Sequence, residues 1–288
     1  MTPTIGVFDS GFGGLTVLRA LIRRLPHAQF AFLGDTARLP YGSKSPRTLA
    51  RYAAQSAQFL VNEQGAEFLV IACNTASALA LDAIQEAVSV PVLGVIDPGA
   101  SAARAASRTG DVLVIATDAT VQSHAYAAAC RAQGLRALEK ACPLLVPLVE
   151  EGWVDLPIGA EPGTAQASSA PAQGSITAQV IRIYLDELLA EAAAAGLNPD
   201  TLVLGCTHYP LLRPLIEQAV PPGMKVIDSA EAAAESAVHL FNQGDAEEGS
   251  PTAQVRCFAT DSVEKFERLG SRFLSRPTGK VELVDLGG

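Results

Sequence analysis

Leu69-Val70-Ile71-Ala72-Cys73-Asn74-Thr75 and Leu202-Val203-Leu204-Gly205-Cys206-Thr207-His208 stand 133 positions apart and share one design. Each begins with a short apolar run of the kind that forms a strand buried on both faces. Each then reaches a cysteine followed by small polar residues suited to opening a helix. A thiol at such a junction would sit at the positive end of the helix dipole, which favours its thiolate. One such cysteine suggests a nucleophile. Two, in apparently related halves, suggest thiols facing one substrate from opposite sides, as moving a proton between the faces of a carbon requires.

Working outward, short apolar runs alternate with longer amphipathic stretches, the pattern of an α/β protein with mainly parallel strands. Strands are expected at 5–8, 30–33, 68–71, 92–95, 112–115, 202–204 and 225–227. A helix is expected over 46–64, with Ser45 as N-cap, Pro46 in the first turn and Gly65 as terminator. A second is expected over 176–195, with Ile176, Val180, Ile183, Leu185 and Leu188 on its apolar face. Residues 156–175 are rich in Ala, Ser, Gly and Pro, and read as a surface insertion with little to bury.

Asp9-Ser10 follows the first strand, and Thr117-Asp118 follows the fifth. Asp9 precedes Cys73 by 64 positions and Thr117 precedes Cys206 by 89; the 20-residue insertion accounts for most of the difference. The expectation is two similar α/β domains with mainly parallel sheets, related by pseudo-twofold symmetry, with the active site in a cleft between them. The first would comprise 1–97 and 208–288, with Asp9 and Cys73. The second would comprise 98–207, with Cys206 and the insertion at 156–175. Strand-end loops of such sheets are the usual ligand sites.

With 49% hydrophobic and 18% charged residues, the chain of 288 residues is not wholesale disordered. A net charge of −9 argues against a non-specific nucleic-acid binder. Five cysteines, odd in number and widely spaced, do not form a disulfide framework. The start shows no apolar signal stretch, and no run approaches the roughly 20 residues of a membrane span. A reduced, soluble, cytoplasmic protein is expected, without membrane or nucleic-acid partners.

The turn Asp9-Ser10-Gly11-Phe12-Gly13-Gly14 lacks the Gly-Lys-Ser/Thr ending of a phosphate loop, and Thr16 replaces the third glycine of a dinucleotide fingerprint. It reads either as a small-ligand loop, with Asp9 relaying protons and Ser10 binding, or as a tight turn with a solvated aspartate. The Pro40-Tyr41-Gly42 turn leaves Tyr41 and the Gly42 amide for a ligand, or is a bland turn. His208 could serve Cys206 as a proton partner, or simply bond the start of a helix. Cys130, Cys142 and Cys257 read as small buried hydrophobes. Glu150 and Glu151 read as a solvated edge. Cys206 and His208 are too close for a usual zinc pair, so no metal is expected.

Taken together, Gly6 to Gly14, Gly34-Asp35-Thr36-Ala37-Arg38, Pro40-Tyr41-Gly42, Ala72 to Ser77, Val149-Glu150-Glu151-Gly152 and Leu204 to Leu211 resemble the glutamate racemases of the aspartate/glutamate racemase superfamily. The resemblance spans most of the chain. It implies cofactor-independent interconversion of L- and D-glutamate, supplying D-glutamate for peptidoglycan, and a homodimer. It implies that Cys73 acts on the D-enantiomer beside Asp9, and Cys206 on the L-enantiomer beside His208. It gives Asp9, Ser10, Tyr41, Gly42, Asn74, Thr75, Thr207 and His208 as substrate contacts, with Thr117 and Glu151 matching less closely. Ala116 and Asp97 depart from the family's common glycine and glutamate. Other readings are an aspartate-type racemase, a binder that has kept the fold, and a cysteine hydrolase needing only one nucleophile.

Overall fold

The computed structural model describes residues 3–154, 175–241 and 253–287. Among the described residues ten strands run β1 Thr4–Asp9, β2 Gln29–Gly34, β3 Phe68–Ile71, β4 Val92–Gly94, β5 Asp111–Ala116, β6 Arg136–Ala141, β7 Thr201–Gly205, β8 Lys225–Asp228, β9 Gln254–Ala259 and β10 Val281–Leu283. They form two wholly parallel sheets, ordered β10-β9-β2-β1-β3-β4 and β6-β5-β7-β8. Parallel neighbours need crossover connections, and helices supply most of them. With both faces covered, the central strands β1, β3, β5 and β7 are nearly continuous apolar runs. The α/β class and all seven expected strands are as the sequence predicts, to within a residue at their ends.

The chain forms two compact units, Met1–Gly99 with Ser229–Gly288, and Ala100–Asp228. The expected return at 207/208 is therefore displaced to 228/229. The cause is β8, which pairs with β7 from Thr201↔Lys225 to Leu204↔Asp228 and so keeps the segment after Cys206 in the second unit.

In the first unit, Phe8, Leu33, Leu49, Leu60, Leu69 and Ile71 pack in one core with Tyr41 and Cys73. On the other side of the sheet, Phe12 and Phe32 meet Phe266 edge-on, with ring centres 6.4 and 5.9 Å away. Ser45 caps the helix Pro46–Gln58 by accepting the Thr48 amide at 3.3 Å. A π-helical turn, Phe59–Glu63, extends it to the expected stop, where Gly65 takes φ +67°.

The helix Ile176–Ala194 has the expected ends, and Ser175 caps it by accepting the Ala178 amide at 3.1 Å. Its buried face differs from the expected one. Thr177, Ile181, Leu185, Leu188 and Ala192 face inward, whereas Ile176 and Ile183 are exposed. Apart from Ser175, the insertion expected at 156–175 lies outside the described residues. No helix among the described residues is long and apolar enough to cross a membrane.

Candidate active site

In the first unit, β1 delivers Asp9 and Ser10, and β3 delivers Cys73 two residues after its end. β1 and β3 are neighbours in register, Phe8 opposite Ile71, so the two strand exits lie side by side. Asp9 is buried, and its Oδ2 accepts the Gly11 amide at 3.0 Å. That close turn depends on glycine. A Cβ on Gly14 would stand 2.6 Å from the Asp9 Cβ, and one on Gly34 would stand 2.1 Å from the Gly11 carbonyl oxygen.

Cys73 caps the helix Asn74–Leu79, its Sγ accepting the Ala76 amide at 3.4 Å. The thiol donates to Ser10 Oγ at 3.4 Å. The Ala76 amide, and the Ser10 hydroxyl when it turns to donate to the sulfur, favour the thiolate, as the sequence led one to expect, but they do not prevail. Burial first, and the Asp9 charge second, push the Cys73 thiol up to about 12. In the free protein Cys73 therefore holds its proton at neutral pH.

Asn74 and Thr75 follow within the first turn and are nearly buried. Ser77 ties that helix to its surroundings, donating to Ile71 O at 2.9 Å and accepting the Val95 amide at 3.3 Å. Tyr41 does not present a free hydroxyl. Its ring is buried, and the phenol donates to Asp35 Oδ2 at 2.6 Å. Asp35, wholly buried at the end of β2, also accepts from Thr260 Oγ1 at 2.9 Å and pairs with Arg38 at 3.4 Å. Arg38 in turn lies 4.4 Å over the Tyr52 ring. Tyr41 is thus an anchor for its turn, and the exposed Gly42 beside it is the part of that turn left for a ligand.

The second unit repeats the strand-end thiol but surrounds it differently. β7 ends at Gly205 against Ala116 of β5, and Cys206 follows. No α-helix starts there. A turn leads into the 3-10 segment Tyr209–Leu212, and the helix begins at Arg213. The expected helix dipole behind Cys206 is therefore missing, because Pro210 and Pro214 break up the helical start.

A side chain stands in its place. His208 Nδ1 lies 3.9 Å from Cys206 Sγ and 3.3 Å from Thr207 Oγ1, and Nε2 lies 3.2 Å from Glu150 Oε1. Burial alone would hold this imidazole neutral. The bonds to Cys206 and Glu150 outweigh it and raise the histidine to about 10. His208 is accordingly a cation at neutral pH. Thr117 emerges from β5 with its hydroxyl 3.0 Å from that of Thr120.

Of the glutamate pair, Glu150 is the one that reaches the site, while Glu151 is exposed. Sequence reasoning missed Glu150, because which of two adjacent residues turns inward depends on the phase of the short helix Leu145–Glu150. Tyr209 was also missed. Its hydroxyl is wholly buried, 3.2 Å from Ala116 O and 3.1 Å from Cys142 O.

Each unit thus places a strand-end thiol under the influence of an ionisable neighbour, Asp9 for Cys73 and His208 for Cys206. A family model described as Asp/Glu/hydantoin racemase matches residues 5–237. A glutamate racemase from Koribacter versatilis is 48% identical over 310 aligned residues, covering 99% of this chain and 98% of the relative. One from Geobacter metallireducens is 43% identical over 287, covering 98% and 96%. Among solved structures, a glutamate racemase from Bacillus anthracis is similar with a TM-score of 0.82 at 35% identity, covering 99% of this chain and 98% of that one. The glutamate racemase of Francisella tularensis, in complex with D-glutamate, gives 0.82 at 34% identity with the same coverage. The chain belongs to the Asp/Glu/hydantoin racemase family, and within it to the glutamate racemase group of isomerases.

Proposed function

We propose that the chain interconverts L- and D-glutamate by two-base proton transfer, with Cys206 acting on the L-enantiomer and Cys73 on the D-enantiomer. A thiolate removes the α-proton and becomes a thiol. The electron pair left on the α-carbon spreads into the substrate carboxylate. The opposite thiol then gives its proton to the other face and becomes the thiolate. Protons balance within one turnover, and the enzyme is left with its two thiol states exchanged. No cofactor takes part in this scheme.

The auxiliary roles follow from charge. Cys73, holding its proton, is ready to reprotonate a carbanion formed by Cys206. To act instead as the base it must first lose that proton, and Asp9, whose charge already acts on that thiol from the neighbouring strand end, is the acceptor. The His208 cation, steadied by Glu150, favours negative charge on Cys206. Ser10, the Gly42 amide, Asn74 and Thr75 from one unit, and Thr117, Thr207 and His208 from the other, hold the substrate. Amides near Asn74, Thr75 and Thr207 stabilise the developing carboxylate charge. Tyr41 contributes through the backbone turn it anchors, and Glu151 is left without a role. The product D-glutamate supplies peptidoglycan synthesis in the cytoplasm, and the working form is a homodimer.

The observation that carries this reading is the matched placement of Cys73 and Cys206 at strand ends, the first under the charge of Asp9 and the second in contact with His208. Proton NMR of L- and then D-glutamate in heavy water, with reduced protein and no added cofactor, tests it. Loss of the α-proton signal from both enantiomers is expected, with optical rotation drifting to zero. Early product should carry deuterium while recovered substrate keeps its proton. Early deuteration of unreacted substrate at the rate of inversion would point to a single base and overturn the scheme.

A further inference from the structure

Tyr209 opens the 3-10 segment three residues after Cys206, and its amide donates back to the Cys206 carbonyl at 3.2 Å. Its hydroxyl has a single proton to share between Ala116 O and Cys142 O. Neither carbonyl depends on it. Ala116 O already accepts the Cys142 amide at 2.9 Å, and Cys142 O accepts the Leu145 amide at 3.2 Å.

What the phenol adds is a tie between three chain segments that each carry a site residue. Ala116 leads directly into Thr117. Cys142 leads into the helix Leu145–Glu150, whose last residue meets His208. The turn that ends on Tyr209 contains Cys206, Thr207 and His208. The contacts so aligned have little slack, because 3.9 Å between His208 Nδ1 and Cys206 Sγ is near the outer limit for a bond to sulfur. Any further lengthening at this turn weakens the contact.

We propose that Tyr209 is a positioning residue, whose buried hydroxyl fixes the Cys206–His208 turn against Thr117 and Glu150 and so sets the rate of the proton transfer made by Cys206. The inference rests on the two-thiol reading above. It is tested with Tyr209→Phe, which deletes one oxygen and leaves the ring in place. Primary isotope effects are measured with α-deuterated L- and D-glutamate, beside kcat and KM for each.

The variant should lose about tenfold in kcat with KM within about twofold, the pattern of a contact that matters in the transition state. The isotope effect starting from L-glutamate should rise relative to that from D-glutamate, as the step at Cys206 becomes more rate-limiting. This ratio does not depend on the concentration of active protein, so a merely structural loss leaves it unchanged. An unchanged ratio in an active variant overturns the role of the hydroxyl alone. A variant with no folded protein overturns it as well, since the hydroxyl would then serve the fold. A wild-type protein that exchanges no α-proton overturns the two-thiol reading itself.

Discussion

Glu150→Gln probes the charge beside His208 without changing its shape. Gln preserves a polar side chain near Nε2 but removes the negative charge now 3.2 Å away. A hydrogen bond between charged partners contributes about 1.5–3 kcal/mol, against about 1 for a neutral one. The pair is mostly buried, with 11% and 19% of the two side chains exposed, so little of this is lost to solvent. The substitution should therefore destabilise the protein by about 1–2 kcal/mol where His208 is charged. The sign with pH follows from linkage. His208 is raised in the folded state from an ordinary 6.5 to about 10, so its contribution is complete below 6.5 and fades as pH rises through 10. The deficit of Glu150→Gln should be largest at pH 6 and should shrink towards zero above pH 10. Comparing variant with wild type at each pH cancels the other groups that titrate in that range. Thermal unfolding followed by circular dichroism at one-unit intervals measures this, as a gap of a few degrees in Tm at pH 6. A gap independent of pH, or one that widens towards pH 10, would show that Glu150 acts through packing and would refute the ion pair.

Cys73→Ala and Cys206→Ala should each abolish racemisation while glutamate still binds in calorimetry; substantial turnover by either variant is incompatible with two bases. Alkylation of Cys73 by iodoacetamide, read by peptide mass spectrometry, should be slow at pH 7 and climb through pH 9, because the thiol lies near 12. Asp9→Asn removes the like charge and should speed that alkylation at fixed pH by roughly threefold to tenfold; no change would mean that burial alone sets the thiol. Gly34→Ala drives a Cβ into the Gly11 carbonyl and should destabilise by about 1–3 kcal/mol, seen in denaturant unfolding, whereas a neutral result would show that the Asp9 turn is free to shift.

The central strands were legible because burial on both faces leaves a strand few options but apolar residues. The edges were not. β6, Arg136-Ala-Leu-Glu-Lys-Ala, carries three charged residues, each satisfied by a partner distant in sequence: Arg136 by Asp111 on the neighbouring strand β5, Glu139 by His124, and Lys140 by Glu187 and Glu191. β10 is three residues long and only its first is buried. β9 was not predicted either, because the alternation of Val255, Cys257 and Ala259 with Gln254 and Arg256 is broken by the buried Phe258. The phase of Ile176–Ala194 was lost because Ile176 and Ile183 lie on an exposed stripe, so hydrophobicity alone pointed to the wrong side. In the site, Asp9, Ser10 and Cys73 could be read from strand-end position alone. Glu150 and Tyr209 could not, because their role depends on which carbonyls and nitrogens lie nearby in space rather than in sequence.

The sequence similarity of the two cysteine segments conceals a difference in electrostatics on which the proposed two-base scheme draws. If both thiols were activated alike, both would ionise together, and no proton would be held ready for the far face. Cys73 is instead buried beside a carboxylate, which keeps its proton on. Cys206 sits beside an imidazole that is itself protonated and backed by a second carboxylate. In the proposed scheme Cys73 already holds the proton that a start from L-glutamate requires of it. D-glutamate needs the opposite arrangement, reached when Asp9 takes the Cys73 proton and the His208 proton passes to Cys206. The two directions then differ in what the auxiliary groups must do before the carbon reacts: from D-glutamate Asp9 must take a proton, and from L-glutamate the His208 cation must support negative charge on its neighbour. Replacing Asp9 should burden the start from D-glutamate first, and replacing His208 the start from L-glutamate, although the equilibrium constant of one keeps kcat/KM equal in both directions. The inequality must therefore show itself in the isotope effects and in kcat taken separately for each enantiomer.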